Sequence, residues 1–220
     1  MNRIPSSIRQ YIAAFRLLLV FTVICGIAYP VVMWGVAQAA FKNQADGSLV
    51  TYKGQVVGSS LLCQEFVNAK GDPLPQYFQP RPSSATNSAD ATDYGCDPGF
   101  SAAANLGPNN PDLLTDVKQL QQQIAAFDHV KISQIPPDAV TSSGSGLDPD
   151  ISPGNAAIQV DRVAATRHLP VSEVQKLVSE NTKARNIEIL GEPGVDVLTL
   201  NIALDNLPGQ AQYVGGALSK

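Results

Sequence analysis

The 25 residues from Leu17 to Phe41 (LLLVFTVICGIAYPVVMWGVAQAAF) carry no charge, and that run constrains the chain more than any other feature. As a helix rising 1.5 Å per residue it would reach about 37 Å, against a hydrocarbon core of about 30 Å, so it can span a bilayer with some tilt. No second stretch of the sequence could do so. Arg3, Arg9 and Arg16 precede it without an acid, and the first acid is Asp46. That bias keeps residues 1–16 in the cytoplasm, makes 17–41 a single span and places residues 42–207 outside. A cleaved signal peptide is the competing reading, because Ala37-Gln38-Ala39 has the small-x-small pattern of a cleavage site. The apolar run exceeds an ordinary signal core, and Tyr29 and Trp34 suit a retained helix nearing the interface, so retention is favoured. Pro30 removes a backbone donor and Gly26 and Gly35 flank it, so Gly26, Tyr29, Pro30 and Trp34 mark the expected face for packing on partner helices. The plain alternative is that Gly and Pro are common in membrane helices generally.

Of 15 basic residues three precede the span, which leaves 12 against 19 acids and a formal charge of −7 beyond it. Nucleic acid is excluded as a natural partner; the acidity serves solubility or concentrates cations near the membrane. The outer part is long enough for one domain with its own core and too short for two. Cys25 lies in the span, whereas Cys63 and Cys96 both fall beyond it, where an oxidising compartment would permit a bridge. The spacing leaves their pairing open and does not resemble a zinc site.

Leu49 to Leu62, broken at Lys53-Gly54, reads as one or two strands. From Gly71 to Pro111 the chain is dense in Pro, Gly, Ser, Asn and Asp, which predicts a long loop used for contact or loosely ordered. Asn110-Pro111 starts an amphipathic helix with Leu113, Val117, Leu120, Ile124 and Phe127 as its buried stripe. Ser152-Pro153 starts another, ending near His168, with Ala156, Val160, Val163 and Arg167 on one face. Ser172 and Gln175 predict a capping box for a third. Short strands are expected at Ile187–Leu190 and Val195–Val197, then a helix with Leu200, Ala203, Leu204 and Leu207 inward, and a fraying tail from residue 208 to 220. The pattern predicts a single α+β domain on one membrane helix.

Phosphate-binding, nucleotide-binding, zincin and nucleophile-elbow patterns are all absent, and no Ser-x-x-Lys pair exists. His129 and His168 read as ordinary surface histidines, and Asp148 with Asp150 as turn acids. No catalytic residue and no metal ligand set is therefore expected. In Val140–Pro153 (VTSSGSGLDPDISP) alternating Ser and Gly could present backbone donors to an anion, but a tight connection using φ > 0 at Gly144 and Gly146 explains the segment better.

Several segments, in order behind the span, carry a family resemblance: Tyr29-Pro30; Gly58-Ser59 to Leu62 with Gln64 and Phe66; Tyr77-Phe78 with Arg81-Pro82-Ser83; and Asn105-Leu106-Gly107-Pro108 with Asn110-Pro111. Ser145-Gly146-Leu147-Asp148-Pro149 with Ile151-Ser152-Pro153, Gln159 with Arg162-Val163-Ala164, Gly191-Glu192-Pro193, and Leu200-Asn201 with Ala203-Leu204-Asp205 complete it. From about Phe21 to Leu207 the chain resembles the C subunit of the Kdp potassium-transporting P-type ATPase. The resemblance implies a non-catalytic subunit of a heteromeric pump in the bacterial inner membrane. Its partners would be a channel-like potassium-binding subunit and an ATP-hydrolysing subunit, which handle potassium and ATP, together with membrane lipid. In that family the C subunit is described as a catalytic chaperone that raises ATP affinity, with Ser145, Gly146, Leu147 and Asp148 matching the proposed nucleotide segment. The charge bias puts those residues outside, away from cytoplasmic ATP, which favours a structural role with the domain over the external mouth of the potassium pathway. Cys63 stands where relatives usually have Gly, so a bridge to Cys96 would be peculiar to a subgroup. A membrane-tethered or secreted small-ligand-binding protein is the alternative from another class.

Overall fold

The computed structural model describes residues 5–86, 95–185 and 189–210. They form two compact units that divide between Ser48 and Leu49.

The first unit is dominated by helix α1 (Ser6–Ala40), long and apolar enough to cross a membrane. It starts 11 residues before the uncharged run, so Arg9 and Arg16 lie on the helix. No Pro or Gly interrupts residues 6–16, and Ile8, Ile12, Phe15 and Leu19 continue one stripe at helical spacing. Residues Ile24–Ala28 wind as a π-helix directly before Tyr29-Pro30. Pro30 has no N–H to return to the preceding turn, and the ladder changes register there. No residue of α1 is buried within the chain.

The second unit opens with an antiparallel hairpin, β1 (Leu49–Tyr52) and β2 (Gln55–Ser59), as the Lys53-Gly54 break predicts. Both turn residues take positive φ, +49° and +82°, the primed turn whose twist matches that of the strands. Helix α2 (Pro111–Asp128) begins with the Asn110 side chain accepting from the Asp112 N–H, and α3 (Pro153–Arg167) with Ser152 accepting from Asn155. Both helices end on a left-handed histidine, His129 and His168. Helix α4 (Val171–Glu180) and α5 (Val197–Asp205) complete the helical layer. Strands β3 (Asp150–Ile151), β4 (Thr182–Lys183) and β5 (Gly194–Asp196) form an antiparallel sheet in the order β3-β5-β4. The core joins Phe66, Tyr77 and Phe78 to Ile151, Val163, Val174, Val195, Leu198, Leu200 and Leu204. The architecture is α+β, as the sequence predicts.

Four expectations need correction. The α2 stripe is only half-buried, and Asp128 is the one α2 residue fully inside, because the periodicity marks a face without supplying a neighbour to cover it. No capping box forms at Ser172. Leu169 closes α3 by donating to the Ala164 carbonyl, and Pro170, held extended, restarts the chain, so Ser172 is already helical. The expected Gly71–Pro111 loop lacks helices and strands among its described residues up to Asn110, yet it delivers Tyr77 and Phe78 to the core with no exposed surface. The last strand ends at Asp196, where α5 begins, and the two-residue strands β3 and β4 were not anticipated. Residues 187 and 188 of the expected Ile187–Leu190 strand and residues 211–220 of the tail lie outside the described residues.

Candidate functional site

Residues 74–79 enter the core without a strand ladder, so their backbone groups require side-chain partners. The Arg162 Nη1 donates to the carbonyls of Pro75 (2.6 Å) and Tyr77 (2.8 Å), its Nε to Asp128 Oδ1 (2.6 Å) and its Nη2 to Gln159 Oε1 (2.8 Å). Gln159 also accepts from the Gln79 N–H and donates to its carbonyl. Asn201 brackets Phe78 in the same way, accepting its N–H and donating to its carbonyl, both at 2.9 Å. Arg167 donates to the Gln76 carbonyl and to Asp205 Oδ1, while the Tyr77 hydroxyl donates to Asp205 Oδ2. Burial raises the pKa of Asp128 despite the opposing charge of Arg162, and burial lowers that of Arg162 despite Asp128. Both directions show that desolvation outweighs attraction in this pair. Periodicity placed Arg167 on the inner face of α3 but gave no sign that Arg162, Gln159 and Asn201 hold this strap.

The Ser145–Asp148 segment closes on itself. Ser143 Oγ accepts from the Gly146 N–H (2.8 Å) and Ser145 Oγ from the Leu147 N–H (3.0 Å). Its carbonyls bind neighbouring loops: Gly146 accepts from Ser83 Oγ, Leu147 from the Cys63 N–H, and Ser145 from the Ala102 N–H and Ser101 Oγ. Asp148 accepts from Arg81 Nη1 at 2.8 Å, and Arg81 Nη2 reaches the carbonyls of Thr141 and Ser142. Only Gly146 of the two expected glycines takes positive φ, +72°, and a Cβ there would lie 2.4 Å from the Ala102 carbonyl oxygen. Gly144 has open space and no positive φ, so the turn does not use its conformational freedom. Cys63 and Cys96, both buried, are joined by a disulfide beside this clasp. A groove of about 650 Å³ runs along it, between Leu113, Val117 and Leu120 of α2 and the loop Thr141–Gly144.

Among the described residues no group of three or more His, Cys, Asp and Glu could hold a metal ion. Asp148 and Asp150 serve different cations, Arg81 and Lys183. Lys183 also reaches Asp196; burial lowers its pKa, but the bonds to Asp150 and the Asp196 charge outweigh this and leave it raised. In α1, Gly26, Pro30 and Trp34 follow at four-residue spacing, with Tyr29 beside Pro30, and the rings of Tyr29 and Trp34 are exposed. Among the described residues, none on that face is buried.

The family model described as K+-transporting ATPase, c chain (KdpC) matches residues 11–206. Among curated relatives, the potassium-transporting ATPase KdpC subunit of Streptomyces avermitilis is 45% identical over 219 residues, covering 94% of this chain and 97% of the relative. That of Beijerinckia indica is 44% identical over 192 residues, 87% and 91% of the two chains. That of Mycobacterium tuberculosis H37Rv is 44% identical over 200 residues, 90% and 99%. These matches, over most of a chain with one apolar N-terminal helix and an α+β unit, mean that it belongs to the KdpC family, the c-chain subunits of K+-transporting ATPases.

Proposed function

We propose that this accessory subunit assembles and stabilises an ATP-driven potassium uptake pump from outside the cytoplasm. Helix α1 holds it in the bacterial inner membrane with its N-terminus inside, and packs through Gly26, Tyr29, Pro30 and Trp34 against a channel-like potassium-binding subunit and an ATP-hydrolysing subunit. The outer domain sits over the external entrance of the potassium pathway, where its charge of −7 beyond the span concentrates cations. The observation that carries this orientation is the Cys63–Cys96 disulfide, since such bonds persist in oxidising compartments and are rare in the cytosol. The three arginines before the span point the same way.

The donors of the Ser145–Asp148 segment support a structural role as well. The amides of Gly146 and Leu147, which a phosphate cradle would need, are taken by Ser143 and Ser145, and Asp148 is held by Arg81. ATP and potassium are handled by the partners, and any effect on ATP affinity passes through α1 into their membrane helices.

The test is to tag the full chain, extract it in mild detergent and identify what accompanies it. Two larger membrane proteins, with ATP affinity that falls when this chain is stripped from them, would support the reading. Recovery of the chain alone would favour a tethered small-ligand-binding protein.

A further inference from the structure

The described residues of the second unit between Gln79 and Asn110 have no core of their own. Among its described residues only Ala85 and Cys96 are buried, and no helix or strand is present to tie it down. Small layers that cannot bury enough apolar surface depend on cross-links. Both halves of the disulfide converge on one atom, the Gly146 carbonyl oxygen. Cys63 Sγ lies 3.3 Å from it, and the Cys63 N–H donates to the next carbonyl, Leu147. On the other side the Cys96 N–H donates to Ser83 Oγ, which donates to the Gly146 oxygen at 2.7 Å. Ala85 donates to the same hydroxyl and receives the Asp97 N–H on its carbonyl, and its methyl packs on Gly146.

We infer that the Cys63–Cys96 bridge is the latch of the Ser143–Asp148 clasp, and that this chain matures as a substrate for dithiol oxidation after its outer domain crosses the membrane. The inference rests on the outside placement proposed above. The partner is a thiol–disulfide oxidant. The thiolate of one cysteine attacks the oxidant's disulfide, forms a mixed disulfide and expels one thiolate; the thiolate of the other attacks the bound cysteine sulfur and expels the second. Two electrons and two protons leave the chain, and the oxidant ends as a dithiol. Until that step, no covalent bond ties the loops at residues 81–86 and 95–102 to the clasp, which they meet through hydrogen bonds and the Arg81–Asp148 ion pair. Afterwards the sulfurs are sheltered, with Cys63 8% and Cys96 6% exposed.

The test uses the full-length chain carrying Cys25→Ala. In intact cells a membrane-impermeant maleimide is applied, followed by reduction and a second maleimide of different mass. Thiols that react only after reduction, and that are free in cells lacking their extracytoplasmic dithiol oxidant, are expected. Thiols labelled from outside without reduction would overturn the latch while leaving the outside placement intact; thiols labelled only after permeabilisation would overturn the placement. Hydrogen exchange is then compared between the oxidised protein, the same protein reduced with a phosphine, and a Cys63→Ala/Cys96→Ala variant. The amides of Cys63, Ala102, Gly146 and Leu147 are expected to exchange at least tenfold faster without the bridge, with α3 unchanged. Equal exchange at those amides, or equal acceleration throughout α3, would overturn the inference.

Discussion

Replacing Arg162 with methionine should be among the most damaging single changes in the outer domain. The arginine side chain is 4% exposed and its Asp128 partner 5%. Loss of the guanidinium leaves a buried carboxylate without its cation, which costs about 3–5 kcal/mol. The carbonyls of Pro75 and Tyr77 lose their donor as well, each worth about 1–3 kcal/mol if water cannot replace it. These contributions overlap, because one vacated site admits water to all three groups. A net loss of about 5 kcal/mol follows, or more than three orders of magnitude in the folding equilibrium. Asp128→Leu should cost less, about 3 kcal/mol, since Arg162 keeps three other acceptors. The double variant should be less damaged than the sum of the two by at least about 1 kcal/mol. Urea unfolding of the full-length chain in detergent, followed by far-UV circular dichroism, reads all four species. A loss under about 1 kcal/mol for Arg162→Met, or strict additivity in the double variant, would refute the claim that this pair holds the strap in place.

Gly146→Ala should lower the melting temperature by several degrees, because the methyl meets the Ala102 carbonyl at a φ of +72°, whereas Gly144→Ala should leave it unchanged. Asn201→Leu strands both backbone groups of Phe78 in the core and should cost about 2–4 kcal/mol by the same urea titration. Lys183→Met tests a pH dependence. The folded-state pKa of Lys183 is raised above its ordinary 10.5, so its stabilising contribution is complete below that value and is lost as pH rises through the folded pKa. The melting-temperature gap between wild type and Lys183→Met should therefore be constant through neutral pH and close on strong alkalinisation; a gap that persists would refute the linkage.

Local signals in the sequence carried far, and their physics explains where they stopped. The Lys53-Gly54 turn, the Asn110 and Ser152 caps and the Ala156-Val160-Val163-Arg167 face all depend on residues within about three turns of one another, and each is found where the sequence puts it. The strap was illegible because its place in the core depends on bonds between residues 80 and 123 positions apart, such as Gln79 with Gln159 and Phe78 with Asn201. A Pro- and Gly-rich composition says only that a ladder is absent, not that other side chains replace it. Periodicity likewise gave α2 an apolar face but not its covering, and Leu113, Val117 and Leu120 line an open groove. The clasp was recognisable as a turn from Gly146 and Pro149. Its ties to Ser83, Cys63 and Ala102 come from three separate loops and could not be read from the segment itself.

The placement of the outer domain is most directly tested by a single reporter thiol that leaves the latch untouched. In a Cys25→Ala background with Cys63–Cys96 bonded, Gln122→Cys puts the only reduced thiol on the exposed face of α2. A membrane-impermeant maleimide applied to intact cells should label it fully, with no gain after permeabilisation. Labelling confined to permeabilised cells would put the domain and its Ser145–Asp148 segment in the cytoplasm and contradict the account.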